Sequence, residues 1–302
     1  MKSKEVQGNG QSTLLAVFDE DLKRLQQRVG KDRSEHTWRG LLQGRNYVAD
    51  FLKVHEQAED ICLARLTPQF INDFCVWLSV YRCLRGGTVW LACQQLKGVV
   101  TRAHQRGALS WNPFAGFHIA KNIRPREFLT EEELQRLMAH RFKKPTLAYA
   151  RDVFLFSAFT GLSFIDMKEL RRSDVVMLNG AYWVVSRRHK TKVPYQVKLL
   201  DVPLTIIDRY KSDDDLIFGS MQYRTMAKRI RKVIEKVGIN KRISLHCARH
   251  TFAVMAINNG MPIESLSRIL GHTNITTTQI YAKITLQKLD DDMTRLAETL
   301  KF

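Results

Sequence analysis

Apolar residues in the first part of the chain recur at three- and four-residue steps, the spacing of a single buried helical face. Phe70, Phe74, Trp77, Leu78 and Tyr81 form the clearest stripe, and Thr67-Pro68 ahead of it supplies an N-cap followed by a proline at the first helical position. Leu14 to Leu25 and Trp38 to Leu52 predict two earlier helices. Gly86-Gly87 reads as punctuation, and a further stripe follows from Val89 to Thr101 through Leu96 and Val100. The pattern predicts a compact bundle of four or five helices over roughly Thr13–Leu109, within a first domain at 13–119. Residues 1–12 are polar and contain glycine, and are expected to be disordered.

Trp111-Asn112-Pro113 and Pro125 break helices on either side of a connector, placed at 120–127, with a second domain over 128–302. Phe128-Leu129-Thr130-Glu131-Glu132-Glu133 opens that domain with a capping box, Thr130 at the N-cap and Glu133 at N3. Helices are predicted near Glu131–Ala139, Leu147–Phe159 and Phe164–Leu170. The pattern then changes to two strands, Tyr182–Ser186 and Tyr195–Leu199, around a turn at Lys190-Thr191-Lys192. Helical periodicity resumes near Leu204–Lys211 and Tyr223–Val237 and runs almost to the end. Leu286, Leu289, Met293, Leu296 and Leu300 mark a final amphipathic helix. The expected fold is mainly α with a small antiparallel β-sheet.

Charge adds a partner. The 302 residues carry a formal net charge of +18, about +5 up to Ala120 and +13 after it. Thr101–Arg126 holds Arg102, Arg106, Lys121, Arg124 and Arg126 and no acid, as a protein closing around a duplex would need. Such an excess on a folded chain implies a polyanion, and nucleic acid is the commonest. No apolar run approaches the roughly 18 residues of a membrane span, and the N-terminus lacks an apolar signal core. Five cysteines without C-x-x-C spacing suit a reducing cytoplasm, most of them behaving as small hydrophobes inside helices. Asp213-Asp214-Asp215 is a solvated turn on this reading, and neither a metal nor a cofactor is called for.

Several residues could carry chemistry, each with a bland alternative. Lys190 lies at the hairpin tip, where a lysine is ordinarily just solvated. His246 and Arg249 are three apart on a predicted helix and can present a donor pair to one anion. Gly271 ends one helix and Thr273 or Asn274 caps the next, so His272 stands at a junction near amides that suit phosphate. Tyr281 follows nine residues later; alone it would be read as a core aromatic.

Their order is what resembles a known family, the tyrosine recombinases or phage-type integrases. The likeness runs from about Thr13 to Lys283. It rests on Trp111-Asn112-Pro113-Phe114, Phe128-Leu129-Thr130, Thr160-Gly161-Leu162, Leu245-His246-Cys247-Ala248-Arg249-His250-Thr251-Phe252, Leu270-Gly271-His272 and Thr277-Thr278-Gln279-Ile280-Tyr281. The resemblance implies a helical, SAM-like core-binding domain followed by the catalytic domain. It also implies that Tyr281 attacks a DNA phosphate to give a 3′-phosphotyrosine, without metal or ATP. Arg249, His246 and His272 would hold the phosphate, and Lys190 would protonate the departing 5′-oxygen, with Lys192 the alternative. Asp166 would brace the site, and His250 is expected to be structural.

One position departs from the family. An arginine usually follows Thr-Gly-Leu, and here it is Ser163. Some conjugative-transposon integrases also carry serine there, within the wording that Thr160–Asp166 follows. Another cation, with Lys168, Arg187 and Arg188 the candidates, is expected to stand in; Arg187 and Arg188 are also expected to touch DNA. The partner implied is duplex DNA with paired sites, bound by four copies, for inversion or mobile-element integration and excision. With only about a dozen residues ahead of the first helix, no arm-binding domain is expected, which favours inversion or simple recombination between short inverted repeats. Two alternatives stay open, a non-catalytic DNA-binding protein on the same scaffold and a relaxing topoisomerase.

Overall fold

The computed structural model describes residues 12–117, 127–189, 191–210, 215–281 and 286–300. The chain divides into two compact units, Met1–Arg124 and Pro125–Phe302, each with its own apolar core. The expectations that 1–12 is disordered and that 120–127 forms a basic linker with Lys121, Arg124 and Arg126 fall almost wholly outside the described residues.

The first unit is built on four α-helices: α1 (Leu14–Gln26), α2 (Glu35–Phe51), α3 (Pro68–Val76) and α4 (Gly86–Gln105). Thr67 caps α3 as expected, its hydroxyl accepting from the Phe70 amide at 3.1 Å. Phe51 is ringed by Phe70, Phe74 and Trp77, with centroids 5.2–5.6 Å away. Tyr81 leaves that face and is 74% exposed. After Val76 the helix widens into a π turn over Trp77–Tyr81, and the extra residue per turn rotates Tyr81 off the buried stripe. Gly86 and Gly87 do not separate elements but open α4, whose first turn lacks intrahelical amide partners anyway. Arg102 and Arg106, expected to face DNA, both turn to buried Asp21 of α1, at 2.7 and 2.8 Å, and tie α4 to α1.

The second unit opens with α5 (Glu131–Ala139), where the Thr130–Glu133 capping box forms with both hydrogen bonds. Two helices buried on nearly all sides, α6 (Pro145–Thr160) and α10 (Leu245–Asn258), pack together at its centre. Between them come α7 (Phe164–Lys168), strands β1 (Val175–Leu178), β2 (Ala181–Arg187) and β3 (Pro194–Lys198), then α8 (Asp201–Arg209) and α9 (Tyr223–Lys236). The sheet is antiparallel in the order β1-β2-β3, with buried Val184 opposite Val175 on one side and Val197 on the other. The chain continues with α11 (Ile263–Ile269), α12 (Thr276–Gln279) and α13 (Leu286–Leu300). Strand β1 was not foreseen. Its four apolar residues have no alternation, but Asn179-Gly180 after them, both at positive φ, is the hairpin signal that marks it.

Candidate active site

Arg249 sits in the second turn of α10, 7% exposed. Its guanidinium donates to the Gly161 carbonyl at 2.9 Å, the Leu270 carbonyl at 2.7 Å and His272 Nε2 at 2.8 Å. Gly161 closes α6 in the left-handed region, φ +69°, which turns its carbonyl toward Arg249. A Cβ there would also fall 2.6 Å from the Phe252 ring, so only glycine satisfies both demands. Burial lowers the Arg249 pKa to about 10, with Arg188 pushing the same way, while the Tyr281 phenol opposes. Arg249 therefore stays cationic at neutral pH.

Burial first, then Arg249 and Arg188, depress His272 to about 4, so its imidazole is neutral. Because Nε2 accepts from Arg249, the proton is assigned to Nδ1, which donates to the Thr278 hydroxyl at 2.8 Å. The Thr278 carbonyl in turn accepts the Tyr281 amide at 3.0 Å, so one turn of chain links His272 to Tyr281. Tyr281 is 7% exposed and shares a small apolar cluster with Phe252, Leu266 and Leu270. Its ring leans on that of His250, centroids 4.8 Å apart, and His250 meets Phe128 at 5.8 Å. His250 thus packs directly against the candidate nucleophile.

Arg188 follows β2 and is buried. It donates to Asp166 at 2.6 Å and to the Ile269 carbonyl at 2.7 Å, and it lies over the Tyr195 ring. Its Nε is buried with no hydrogen-bond partner among the described residues. The Ser163 hydroxyl donates to the same Asp166 oxygen at 2.6 Å, and the His189 amide donates to the other at 3.0 Å. Burial alone would raise the Asp166 pKa, but Arg188, Ser163 and the His189 amide prevail and hold the carboxyl below its usual range. Gly271, at φ +60°, makes room for this arginine: a Cβ would meet Arg188 Nε at 2.7 Å and Cγ at 2.8 Å. Arg188 and Arg249 therefore bond to successive carbonyls, Ile269 and Leu270, and among the described residues the carboxylate offsetting the pair is Asp166.

Residues 127–288 match the sequence profile of the Phage integrase family, and residues 13–122 match that of the Phage integrase SAM-like domain. The chain belongs to the phage integrase family, the tyrosine recombinases. Cleavage and rejoining of DNA is that family's reaction. The chain is 30% identical over 197 residues to a tyrosine recombinase of Pseudothermotoga lettingae, covering 62% of this chain and 67% of that one. It is 26% identical over 201 residues to tyrosine recombinase XerC of Oceanobacillus iheyensis, covering 61% and 66%. The chain thus spans about two thirds of the length of these curated relatives. Among solved structures, the Tn1549 transposon integrase in complex with a circular intermediate DNA superposes with a TM-score of 0.75 at 17% identity, over 94% of this chain and 99% of that one. The XerH recombinase bound to its palindromic difH substrate gives 0.68 at 17% identity, over 93% and 95%. At those identities the likeness is one of fold.

The remaining predicted residues are distributed over the second unit. His246 is exposed in the first turn of α10. Lys168, Arg187 and Lys192 are exposed, and Lys192 takes a positive φ of 57° while its amide donates to the Arg188 carbonyl at 2.9 Å. Lys190, Asp213 and Asp214 lie outside the described residues, and Asp215 pairs with Arg171 at 2.8 Å. One basic surface was missed. Arg224, Lys228, Arg231, Lys232 and Lys236 are exposed on α9, opposite buried Met226, Ile230, Val233 and Ile234. The signal was there in helical phase, but a count of charges along the chain does not register phase. Among the described residues no helix is long and apolar enough to cross a membrane.

Proposed function

We propose that this tyrosine recombinase cuts and rejoins duplex DNA at paired sites in the cytoplasm, through a covalent 3′-phosphotyrosine on Tyr281. The observation that carries the reading is the pair of buried guanidiniums, Arg188 and Arg249, offset by the carboxylate of Asp166, with Arg249 interacting with the Tyr281 phenol. Burying charge without full neutralisation is costly, and an entering phosphodiester supplies the missing negative charge. In-line attack by the Tyr281 oxygen forms the new P–O bond as the P–O5′ bond breaks. The phenol proton passes to a base, for which His246 is the candidate, and the departing 5′-oxygen takes its proton from Lys190. Attack by a 5′-hydroxyl on the phosphotyrosine reverses these steps and restores the backbone, so no external energy source is needed.

Arg249 grips the non-bridging oxygens as a planar fork. Arg188 fills the role left open at Ser163: its Nε is unpartnered among the described residues, and Ser163 fixes the Asp166 carboxylate that orients it. The protein acts as an assembly of four copies on two sites, for inversion or for integration and excision of a mobile element. The decisive measurement uses a nicked duplex site that traps the covalent complex. Tyr281→Phe is expected to form no covalent adduct while binding the same duplex within about threefold. An adduct with Tyr281→Phe would overturn the assignment, and binding without any adduct by the unsubstituted protein would favour a non-catalytic DNA-binding role. Supercoil relaxation of a two-site plasmid with no recombinant product would favour a topoisomerase.

A further inference from the structure

The first unit holds a pair of thiols that the recombinase chemistry does not use. Cys75 on α3 and Cys93 on α4 are 18 residues apart in sequence, yet their sulfurs lie 2.7 Å apart. That is inside the contact distance of two sulfurs and close to the disulfide bond length of about 2.05 Å. Neither cysteine stands in a C-x-x-C motif, and the pairing arises only because α3 packs on α4. The two differ in access. Cys93 is buried among the core residues of the bundle, whereas Cys75 is half-buried at its edge.

We propose that Cys75 and Cys93 are an oxidation site, at which a peroxide converts the two thiols to an intramolecular disulfide that staples α3 to α4. The asymmetry of the pair sets the order of events. The two thiols share a hydrogen bond that holds the Cys75 pKa below its ordinary value and, together with burial, pushes Cys93 above it. Cys75, both more accessible and more readily ionised, attacks hydrogen peroxide. Its sulfur takes one oxygen, becoming a sulfenic acid, and the O–O bond breaks to release hydroxide, which takes up a proton as water. The Cys93 sulfur then attacks the sulfenic sulfur, the S–S bond forms, and the hydroxyl leaves with the Cys93 proton as a second water. In sum two thiols and one peroxide give one disulfide and two waters, with both sulfurs oxidised and the peroxide oxygens reduced.

The competing site on the same unit is Cys83, which is exposed and hydrogen-bonds the Val80 carbonyl rather than another thiol. Unselective oxidation would take Cys83 first and join separate chains. The test therefore treats the reduced full-length protein with a small excess of hydrogen peroxide. Remaining thiols are then alkylated under denaturing conditions, and the peptides are mapped without reduction. The chain has 5 cysteines. The expected result is loss of two alkylatable thiols per chain, one linked peptide pair joining Cys75 to Cys93, and a rate that does not change with protein concentration. Cys83→Ser is expected to leave the linkage intact. Cys93→Ala should stop Cys75 at the sulfenic acid, trapped by dimedone. The proposal is overturned if Cys75 and Cys93 both remain alkylatable while Cys83 is consumed. It is also overturned if Cys75 proceeds to sulfinic acid with Cys93 still reduced.

Discussion

At the scale of single residues, the departure at Ser163 and the burial of Arg188 explain one another. Asp166 accepts hydrogen bonds from both, at 2.6 Å each, so the serine hydroxyl orients the carboxylate and the carboxylate orients the guanidinium. Removing one positioned donor that stabilises charge in a transition state costs roughly 10²–10³ in rate. Arg188→Ala is therefore expected to lower covalent-complex formation about a hundredfold or more, with DNA binding changed only a few-fold. Lys168→Ala and Arg187→Ala, which alter exposed side chains, should stay near the parent rate. Because Arg188→Ala strands a buried carboxylate, the Asp166→Asn/Arg188→Met pair serves as the control: it removes both charges, and it should fold yet remain as slow. A parental rate in either variant would show that Arg188 only fills space. His272 carries a second expectation. With a folded pKa of about 4 against 6.5 in the unfolded chain, it binds fewer protons when folded throughout that window. This contribution to stability is complete above pH 6.5 and is lost as pH falls toward 4. Urea unfolding at pH 7, 6 and 5 should show a decline that His272→Gln makes shallower.

Among the elements, α13 differs from every other long helix. Leu289, Met293, Leu296 and Leu300 lie on one stripe and are 47–63% exposed, while Arg295 reaches back to Gly260 at the end of α10. Packing on its own unit therefore leaves that stripe uncovered, and on the four-copy assembly proposed above a neighbouring copy is the occupant expected. A Leu289→Glu/Met293→Glu variant is expected to bind a single site normally and to weaken the pairing of two sites about tenfold or more, the factor that corresponds to ~1.4 kcal/mol. Gel-shift assays with one-site and two-site duplexes separate these steps, and unaltered pairing would assign the stripe another role. Local elements such as this helix were legible in the sequence, since a 3.6-residue period or a Thr-x-x-Glu cap is written in consecutive residues. The order of short motifs around Arg249, His272 and Tyr281 was legible for the same reason. The π turn that expels Tyr81 was not, because a bulge resets the phase without a distinctive residue. Nor were the Arg188–Asp166 and Cys75–Cys93 pairs, which exist only once separate elements pack together.

Over the whole molecule, net charge and available charge are different quantities. The +18 excess counts Arg102 and Arg106, yet both, though exposed, are engaged with buried Asp21 of the first unit. The exposed cations of α9 form one face with Glu235 as the helix's sole acid, and they belong to the half that carries +13. Affinity for duplex DNA should fall with salt along a line of log K against log salt whose slope is about −0.9 per neutralised phosphate. Lys228→Gln/Arg231→Gln/Lys232→Gln is expected to flatten that slope by about 0.9 for each phosphate that is no longer neutralised. The melting temperature should change little, because the three side chains are solvated. Arg102→Gln/Arg106→Gln should do the opposite. It leaves Asp21 buried without its partners, so the melting temperature falls while the slope stays put. Fluorescence anisotropy across a salt series, paired with thermal unfolding of the same variants, reads both quantities. A reversed pattern, with the slope following Arg102 and Arg106, would move the phosphate-binding face to α4 and reduce the Asp21 pairs to a resting arrangement that DNA displaces.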